Sequence, residues 1–276
     1  SDQLAVVLGC TTIKGSKENP LDFQTRFNMF EEYDDRVEVW KHMDNKSDEQ
    51  WSKNLDQLLI DKYGVDVEIT IHHSRDSFRS HYSGIFPCKE WDAVGDINAT
   101  AIRKRLGEYP HYWNDDPGRS FRAGIIYASQ QNYDKVSATV DCFVYNHDTD
   151  STLLGRRKGQ TEWRLCGGFS SPGDKSFRHS AQRELEEESK LKINLGNIEC
   201  IDSFEVNDWR HQRTVDKIIT TLFWVDVTGN PEVEGQDDIE EVRWFPMSSL
   251  TDGSIEIAEE HQVLVTAGFV HYLEVI

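Results

Sequence analysis

The stretch Gly167-Gly168-Phe169-Ser170-Ser171-Pro172-Gly173-Asp174, with Arg183-Glu184-Leu185-Glu186-Glu187-Glu188-Ser189-Lys190-Leu191 after it, decides how this chain is read. Its first part has the residues of a loop, and its second part has those of a helix, predicted over residues 176–190. On that helix Glu184, Glu187 and Glu188 stand at i, i+3 and i+4 on one face, while Phe177, Ala181 and Leu185 form an apolar stripe. Like charges at this spacing destabilise a helix by about a few tenths of a kcal/mol per pair unless a cation neutralises them. A solvated acidic face explains most isolated Glu-Glu pairs. The ordered run Arg-Glu-apolar-x-Glu-Glu is rarer, expected by chance in roughly one chain per thousand of this length, and the glycine pair ahead of it adds weight to a metal site. Oxygen ligands without histidine favour Mg²⁺ or Mn²⁺ over zinc.

Outward from this helix, strands are predicted at 138–146, 152–156, 163–165, 198–206, 218–227 and 242–245, with a last helix at 257–273. The first half has a different pattern. Leu4-Ala5-Val6-Val7-Leu8-Gly9 suits a buried strand, residues 36–42 and 65–72 alternate as further strands, and helices are expected near 21–33 and 47–62. Strands alternating with helices predict βαβ units and a parallel sheet. The aromatic, proline and aspartate cluster at 109–118 reads as the exit from this domain. The expected organisation is therefore residues 1–118 as a first domain, 119–136 as a connecting segment with a helix at 120–130, and 137–276 as a second domain.

Composition limits the function classes. The chain has 276 residues and a formal charge of −19, which disfavours nonspecific binding to nucleic acid or anionic lipid. Residues 1–136 carry 23 acids and 17 bases, and residues 137–276 carry 26 acids and 13 bases. No run of 18 apolar residues occurs, and the start lacks the layout of a secretory signal. Five cysteines, without a Cys-x-x-Cys pair, argue against a disulfide framework or a structural zinc. A cytoplasmic setting is the expectation, with no nucleic-acid or membrane partner and with room for a homodimer.

The glutamate stretch resembles the Nudix box, Gly-x5-Glu-x7-Arg-Glu-apolar-x-Glu-Glu-x-Gly-apolar. Asp174 stands in place of its first Glu, eight residues rather than seven precede Arg183, and Lys190 takes the place of the last Gly. The Arg-Glu-Leu-x-Glu-Glu core is intact. The resemblance implies that Glu184, Glu187 and Glu188 hold Mg²⁺ (or Mn²⁺), that a Gly167 or Gly168 carbonyl completes the shell, and that Arg183 fixes a glutamate. Glu187, Glu188 or the acidic loop Asp237-Asp238-Ile239-Glu240-Glu241 could take the proton of an attacking water.

Residues 152–183 hold seven bases, Arg157 and Arg164 among them, and two acids, a local excess that suits either a phosphate-binding patch or an ordinary charged hairpin. Asp208-Trp209-Arg210 offers an acceptor, a stacking ring and a cation for a nucleotide. The run from Asp208-Trp209-Arg210 to Asp216-Lys217-Ile218-Ile219-Thr220 is similar to the Nudix domain of the bifunctional nicotinamide mononucleotide adenylyltransferase/ADP-ribose pyrophosphatase family. His261 also fits that family, in a role read as structural. In the first half Asn19-Pro20-Leu21 with Arg26, Arg75-Asp76-Ser77 with His81-Tyr82, and Ile97-Asn98-Ala99-Thr100-Ala101-Ile102-Arg103 resemble its nucleotidyltransferase domain. By that resemblance Thr100 and Arg103 contact ATP phosphates at a helix N-terminus with free amides.

The fold implied is α/β, an incomplete Rossmann-like nucleotidyltransferase domain lacking its first strand, followed by a Nudix α/β/α sandwich. The family's His-x-Gly-His loop should precede Leu4 and occurs nowhere in the 276 residues, so adenylyl transfer is not expected of this sequence as it stands. The implied activity is Mg²⁺-dependent hydrolysis of ADP-ribose to AMP and ribose 5-phosphate, in NAD metabolism. Alternatives are a non-catalytic ADP-ribose-sensing module, and nicotinamide mononucleotide adenylyltransferase activity in a longer protein.

Overall fold

The computed structural model describes residues 3–13, 15–74, 78–92, 98–209, 211 and 214–276. The chain divides into two compact units, the first running to Tyr133 and including Thr214, the second comprising Asp134–His211 and Val215–Ile276. The helix expected in the connecting segment therefore closes the first unit.

The first unit contains β1 (Ala5–Cys10), α1 (Phe23–Tyr33), β2 (Glu38–Met43), α2 (Asp48–Tyr63), β3 (Ile71–His73), β4 (Cys88–Glu90), α3 (Ala99–Glu108) and α4 (Pro117–Gln130). Each helix starts where a short polar side chain accepts from a free first-turn amide: Asp22, Ser47, Asn98 and Asp116. β1 pairs β2 and β3 pairs β4, both in parallel, but among the described residues the two pairs form separate sheets. The expectation of a Rossmann-like sheet is thus met only as parallel pairs. Of the strand predicted over 65–72, only its end is a strand, because Ile71 finds a partner in Cys88 while Val65 and Val67 are exposed. α2 packs Leu55 and Leu59 against Tyr82, and the buried Asp56 carboxylate accepts from the Tyr82 hydroxyl and from the Ile85 amide at 2.9 Å.

The second unit contains β5 (Val136–Asn146), β6 (Ser151–Arg157), β7 (Trp163–Arg164), β8 (Cys166–Phe169), α5 (Phe177–Ser189), β9 (Ile198–Val206), β10 (Lys217–Val227), β11 (Ile239–Pro246) and α6 (Gln262–Val275). The main strand order is β11-β6-β5-β10-β9, with β7 on β6 and β8 on β5. β10 runs parallel to β5, and the other pairs are antiparallel.

Alternation along β5 sorts its side chains to two faces. Val140, Cys142 and Val144 pack with Ala181 and Leu185 of α5, whereas Phe143 and Tyr145 pack with Leu264 and Val265 of α6. The sheet is thereby enclosed between two helices. Leu185 is fully buried in the α5 layer. Leu185→Ala should lower the unfolding free energy by about 2–5 kcal/mol in a denaturant titration. Phe177, predicted in the same stripe, is instead 46% exposed, because the first turn of α5 extends past the sheet-facing residues.

Candidate active site on the glutamate helix

Both ends of α5 are fixed by its own sequence. The Ser176 hydroxyl accepts from the His179 amide at 3.3 Å, closing the N-terminus. Lys190 ends the helix in the left-handed conformation, φ 59°, where the box usually has glycine. Its amide donates to the Glu186 carbonyl, its ammonium pairs with Glu234, and the Glu234 and Gln236 amides cap the Ser189 and Glu188 carbonyls at 3.0 Å each. The helix end is thus bonded to the loop that leads into β11.

Arg183 organises the glutamates. Its guanidinium donates to Asp174 (2.9 and 3.1 Å), Glu184 (2.7 Å), Glu187 (2.8 Å) and the Phe169 carbonyl (3.0 Å). Asp174, the residue in the place of the first box glutamate, also accepts from the Ser171 amide and the Ser180 hydroxyl. Arg183 and these two donors hold its carboxyl well below the usual carboxylate range. A depressed folded-state pKa contributes stability above the unfolded value of 3.8, and the contribution is lost as pH falls through that value and below. Asp174→Asn should therefore unfold at a lower temperature than the native chain at pH 7, and the difference should close toward pH 2 in thermal melts.

The three glutamates have different surroundings. Glu187 is half exposed and Glu184 is largely covered. Glu188 is buried, and its carboxylate accepts from the Gly167 amide at 2.7 Å. Burial, reinforced by Asp238, pushes Glu188 up to about 9, against the pull of that amide. Burial also raises Glu184, despite Arg183 beside it.

Two glycines bring the β8 backbone close to these groups. A Cβ on Gly167 would lie 2.1 Å from the Val140 carbonyl oxygen, and one on Gly168 would lie 2.7 Å from the Glu184 carboxylate. Among the described residues no three His, Cys, Asp or Glu side chains stand as a ready-made ion site. In this arrangement Arg183 engages Glu184 and Glu187 while Gly167 engages Glu188. The donor set nonetheless fits a hard divalent cation. It consists of oxygens only, desolvation raises Glu184 and Glu188, and Gly168 leaves a cradle beside Glu184 that a side chain would fill.

Beside β8 lies a cleft of about 110 Å³, lined by Asp141, Arg157, Arg164, Gly167, Asp208 and His261 among others. The structure thus brings together Arg157, Arg164, Asp208 and Gly168 from the predicted set, while Trp209 is not in the lining. Arg210 lies outside the described residues, as do Arg75, Asp76, Ser77 and Ile97 of the first-half motifs.

The basic excess is locally compensated. Arg156 pairs with Glu241 (2.6 Å), Arg157 with Asp238 (2.9 Å) and Arg164 with Glu260 (3.3 Å). At the other predicted phosphate site, Asn98 already accepts from the Thr100 and Ala101 amides, and Arg103 donates to the Thr100 hydroxyl at 3.1 Å. These two amides, expected to be free for an anion, serve as a cap.

Asp141, missed in the sequence, sits on β5 with its carboxylate accepting from the Thr220 hydroxyl and buried to a pKa of about 7. The signal for it was a lone acid within an otherwise apolar strand.

Residues 135–266, a little under half of the chain, match the NUDIX domain model. No curated protein matches the chain. Among solved structures, the chain is similar to a bifunctional NMN adenylyltransferase/ADP ribose pyrophosphatase from Francisella tularensis. The identity is 20%, covering 100% of this chain and 91% of that one, with a TM-score of 0.45. It is also similar to a MutT/nudix family protein from Enterococcus faecalis, at 23% identity over 65% of this chain and 76% of that one, with a TM-score of 0.43. The NUDIX domain of Shewanella oneidensis NrtR, crystallised with ADP ribose, is 20% identical over 51% and 90%, with a TM-score of 0.43. No helix among the described residues is long and apolar enough to cross a membrane.

Proposed function

We propose that the second unit is a pyrophosphohydrolase that, with Mg²⁺ or Mn²⁺, cleaves ADP-ribose to AMP and ribose 5-phosphate, serving NAD metabolism. The observation that carries this reading is the Arg183-gathered set of Glu184, Glu187 and Glu188 against the Gly167-Gly168 backbone, beside a cleft containing Arg157 and Arg164. Glu184, Glu187, Glu188 and the Gly168 carbonyl would hold the cation, which screens the diphosphate and lowers the pKa of water.

The chain's own groups then have separate tasks. Arg183 keeps Glu184 and Glu187 in place while Asp174 anchors Arg183. Glu187, the most open of the three, takes a proton from the water as its oxygen bonds to one phosphorus. The bond from that phosphorus to the bridging oxygen breaks, and the departing phosphate carries away the electron pair. Arg157 and Arg164 orient the diphosphate, with Asp208, Trp209 and Arg210 on the nucleoside side. In the first unit, with the Thr100 and Ala101 amides taken by the Asn98 cap, Thr100 and Arg103 would meet a phosphate at a nucleotidyltransferase-like site through their side chains alone.

The test is product analysis on a panel of ADP-ribose, NADH and related nucleoside diphosphates with Mg²⁺ or Mn²⁺. AMP and ribose 5-phosphate from ADP-ribose are the expected result. Tight ADP-ribose binding without turnover under either metal would replace this reading with a sensing module.

A further inference from the structure

Along α5 lies a groove of about 620 Å³, within the roughly 300–1,000 Å³ of small-molecule sites, lined by Lys175, His179, Gln182, Glu186, Glu187 and Gln236 among others. The function proposed above assigns it no task beyond Glu187. Its relation to the cleft beside β8 is set by the glutamates. Gly168 lines the cleft and lies against the Glu184 carboxylate, whereas Arg183, bonded to both Glu184 and Glu187, lines the groove together with Glu187. The glutamates therefore connect two cavities. With the nucleoside on the cleft side, at Asp208, the groove is the cavity that remains for the other half of a diphosphate held between them.

The lining decides what that half is. Among the described residues Lys175 forms no ion pair, because the neighbouring Asp174 carboxylate is held by Arg183. The His179 ring is fixed through Nδ1, 2.9 Å from the Ser176 hydroxyl, which leaves Nε2 unpaired. Gln236 bonds the Glu188 carbonyl through its main chain and keeps its side-chain amide for a ligand. Against these donors stand the Glu186 and Glu187 carboxylates. With Asp174 they outnumber Lys175 and Arg183, so a phosphate or carboxylate gains little here. A sugar hydroxyl fits both kinds of partner, donating to a carboxylate and accepting from an ammonium or an imidazole N–H. Among the described residues the lining has no phenyl, phenol or indole ring, so a second base or a nicotinamide ring would have no such surface to stack on.

We infer that the groove receives the non-nucleoside half of the substrate, that this half is a sugar rather than a second nucleoside, and that Lys175 and His179 are specificity-determining residues that bond its hydroxyls. This rests on the hydrolase reading given above. A site built to bond hydroxyls loses affinity for an analogue without them, because its own polar groups are then left without that partner.

The experiment compares ADP-ribose, the methyl ester of ADP, which lacks the second sugar, and diadenosine diphosphate, which has a second nucleoside. The native chain should favour ADP-ribose over the dinucleotide by about tenfold or more in kcat/KM. In the double variant Lys175→Met/His179→Leu the KM for ADP-ribose should rise about tenfold, with kcat within roughly threefold and the KM for the methyl ester unmoved. Neither side chain belongs to the core of the unit, so the thermal melt should match that of the native chain. Lys175→Arg/His179→Gln, which keeps a donor at both positions, should recover most of the loss.

An equal rise for ADP-ribose and the methyl ester would reduce Lys175 to a general attraction for anions and overturn the inference, as would an unchanged KM. Equal cleavage of ADP-ribose and the dinucleotide by the native chain overturns the assignment of a sugar. Calorimetry with ADP-ribose separates this inference from the reading beneath it. If the native chain binds but does not hydrolyse, the hydrolase reading fails; a Kd about tenfold weaker in the double variant then upholds the groove, and an unchanged Kd overturns it. Absence of both binding and hydrolysis in the native chain overturns both.

Discussion

Glu187→Gln and Glu188→Gln should each lower kcat for ADP-ribose hydrolysis by about 10²–10³-fold, equivalent to roughly 3–4 kcal/mol of transition-state stabilisation. The two variants should fail differently. Glu187 is half exposed, and its bond to Arg183 is one of several that Arg183 makes, so its replacement leaves the unfolding free energy within about 0.5 kcal/mol. Its effect falls on proton acceptance and should alter the pH profile of kcat. Glu188 is buried against the Gly167 amide, and glutamine keeps an oxygen for that bond. Its loss weakens cation retention and should raise the Mg²⁺ concentration for half-maximal rate by roughly tenfold or more. Rates equal to the native chain in both variants, with melts unchanged, would remove the glutamate helix from the chemistry.

Gly167→Ala should cost about 3 kcal/mol or more in a denaturant titration and take hydrolysis with it. The added Cβ would meet a backbone carbonyl, Val140 O, and the Cα of Asp141, both within β5 at the centre of the sheet. Neither can turn aside as a side chain does, so β8 would have to separate from β5. The adjacent glycine provides the control. The nearest atoms to a Cβ on Gly168 are those of the Glu184 carboxylate, which can rotate. Gly168→Ala should therefore keep most of the stability and lose activity through a displaced ligand. If Gly167→Ala melts with the native chain, the close approach of β8 to β5 is not a requirement of the fold.

Legibility in the sequence followed periodicity. The strand at 198–206 and the helix over 176–190 were readable because each has enough residues to express its period, with flanking residues that close it. The strand Cys166–Phe169 was read as loop, since two glycines conceal any alternation, and only the ladder to β5 makes it a strand. The first unit shows the same limit. Local patterns indicated parallel pairing, but how many strands join one sheet depends on contacts distant in sequence. For the candidate site, the box core singled out Arg183 and the glutamates, which the fold places together on α5. Asp141 was hidden because a single acid in an apolar strand acquires meaning only from what its neighbour β10 and the turn before α6 bring to it. The basic excess was visible as charge, and its neutralisation by Glu241, Asp238 and Glu260 was not, because those partners lie about 80 or more residues away.

That neutralisation has a consequence for encounter kinetics. Arginines paired with carboxylates act on a ligand at contact and add little field beyond a Debye length of about 8–10 Å. The chain as a whole carries −19, so an anionic diphosphate diffusing from afar meets net repulsion rather than steering. Dissolved salt screens that repulsion and hastens capture, the reverse of the behaviour of a protein that draws its ligand in with a bare cationic funnel. Discrimination in such a protein occurs after arrival, in the cleft, and is expressed in how long a ligand stays.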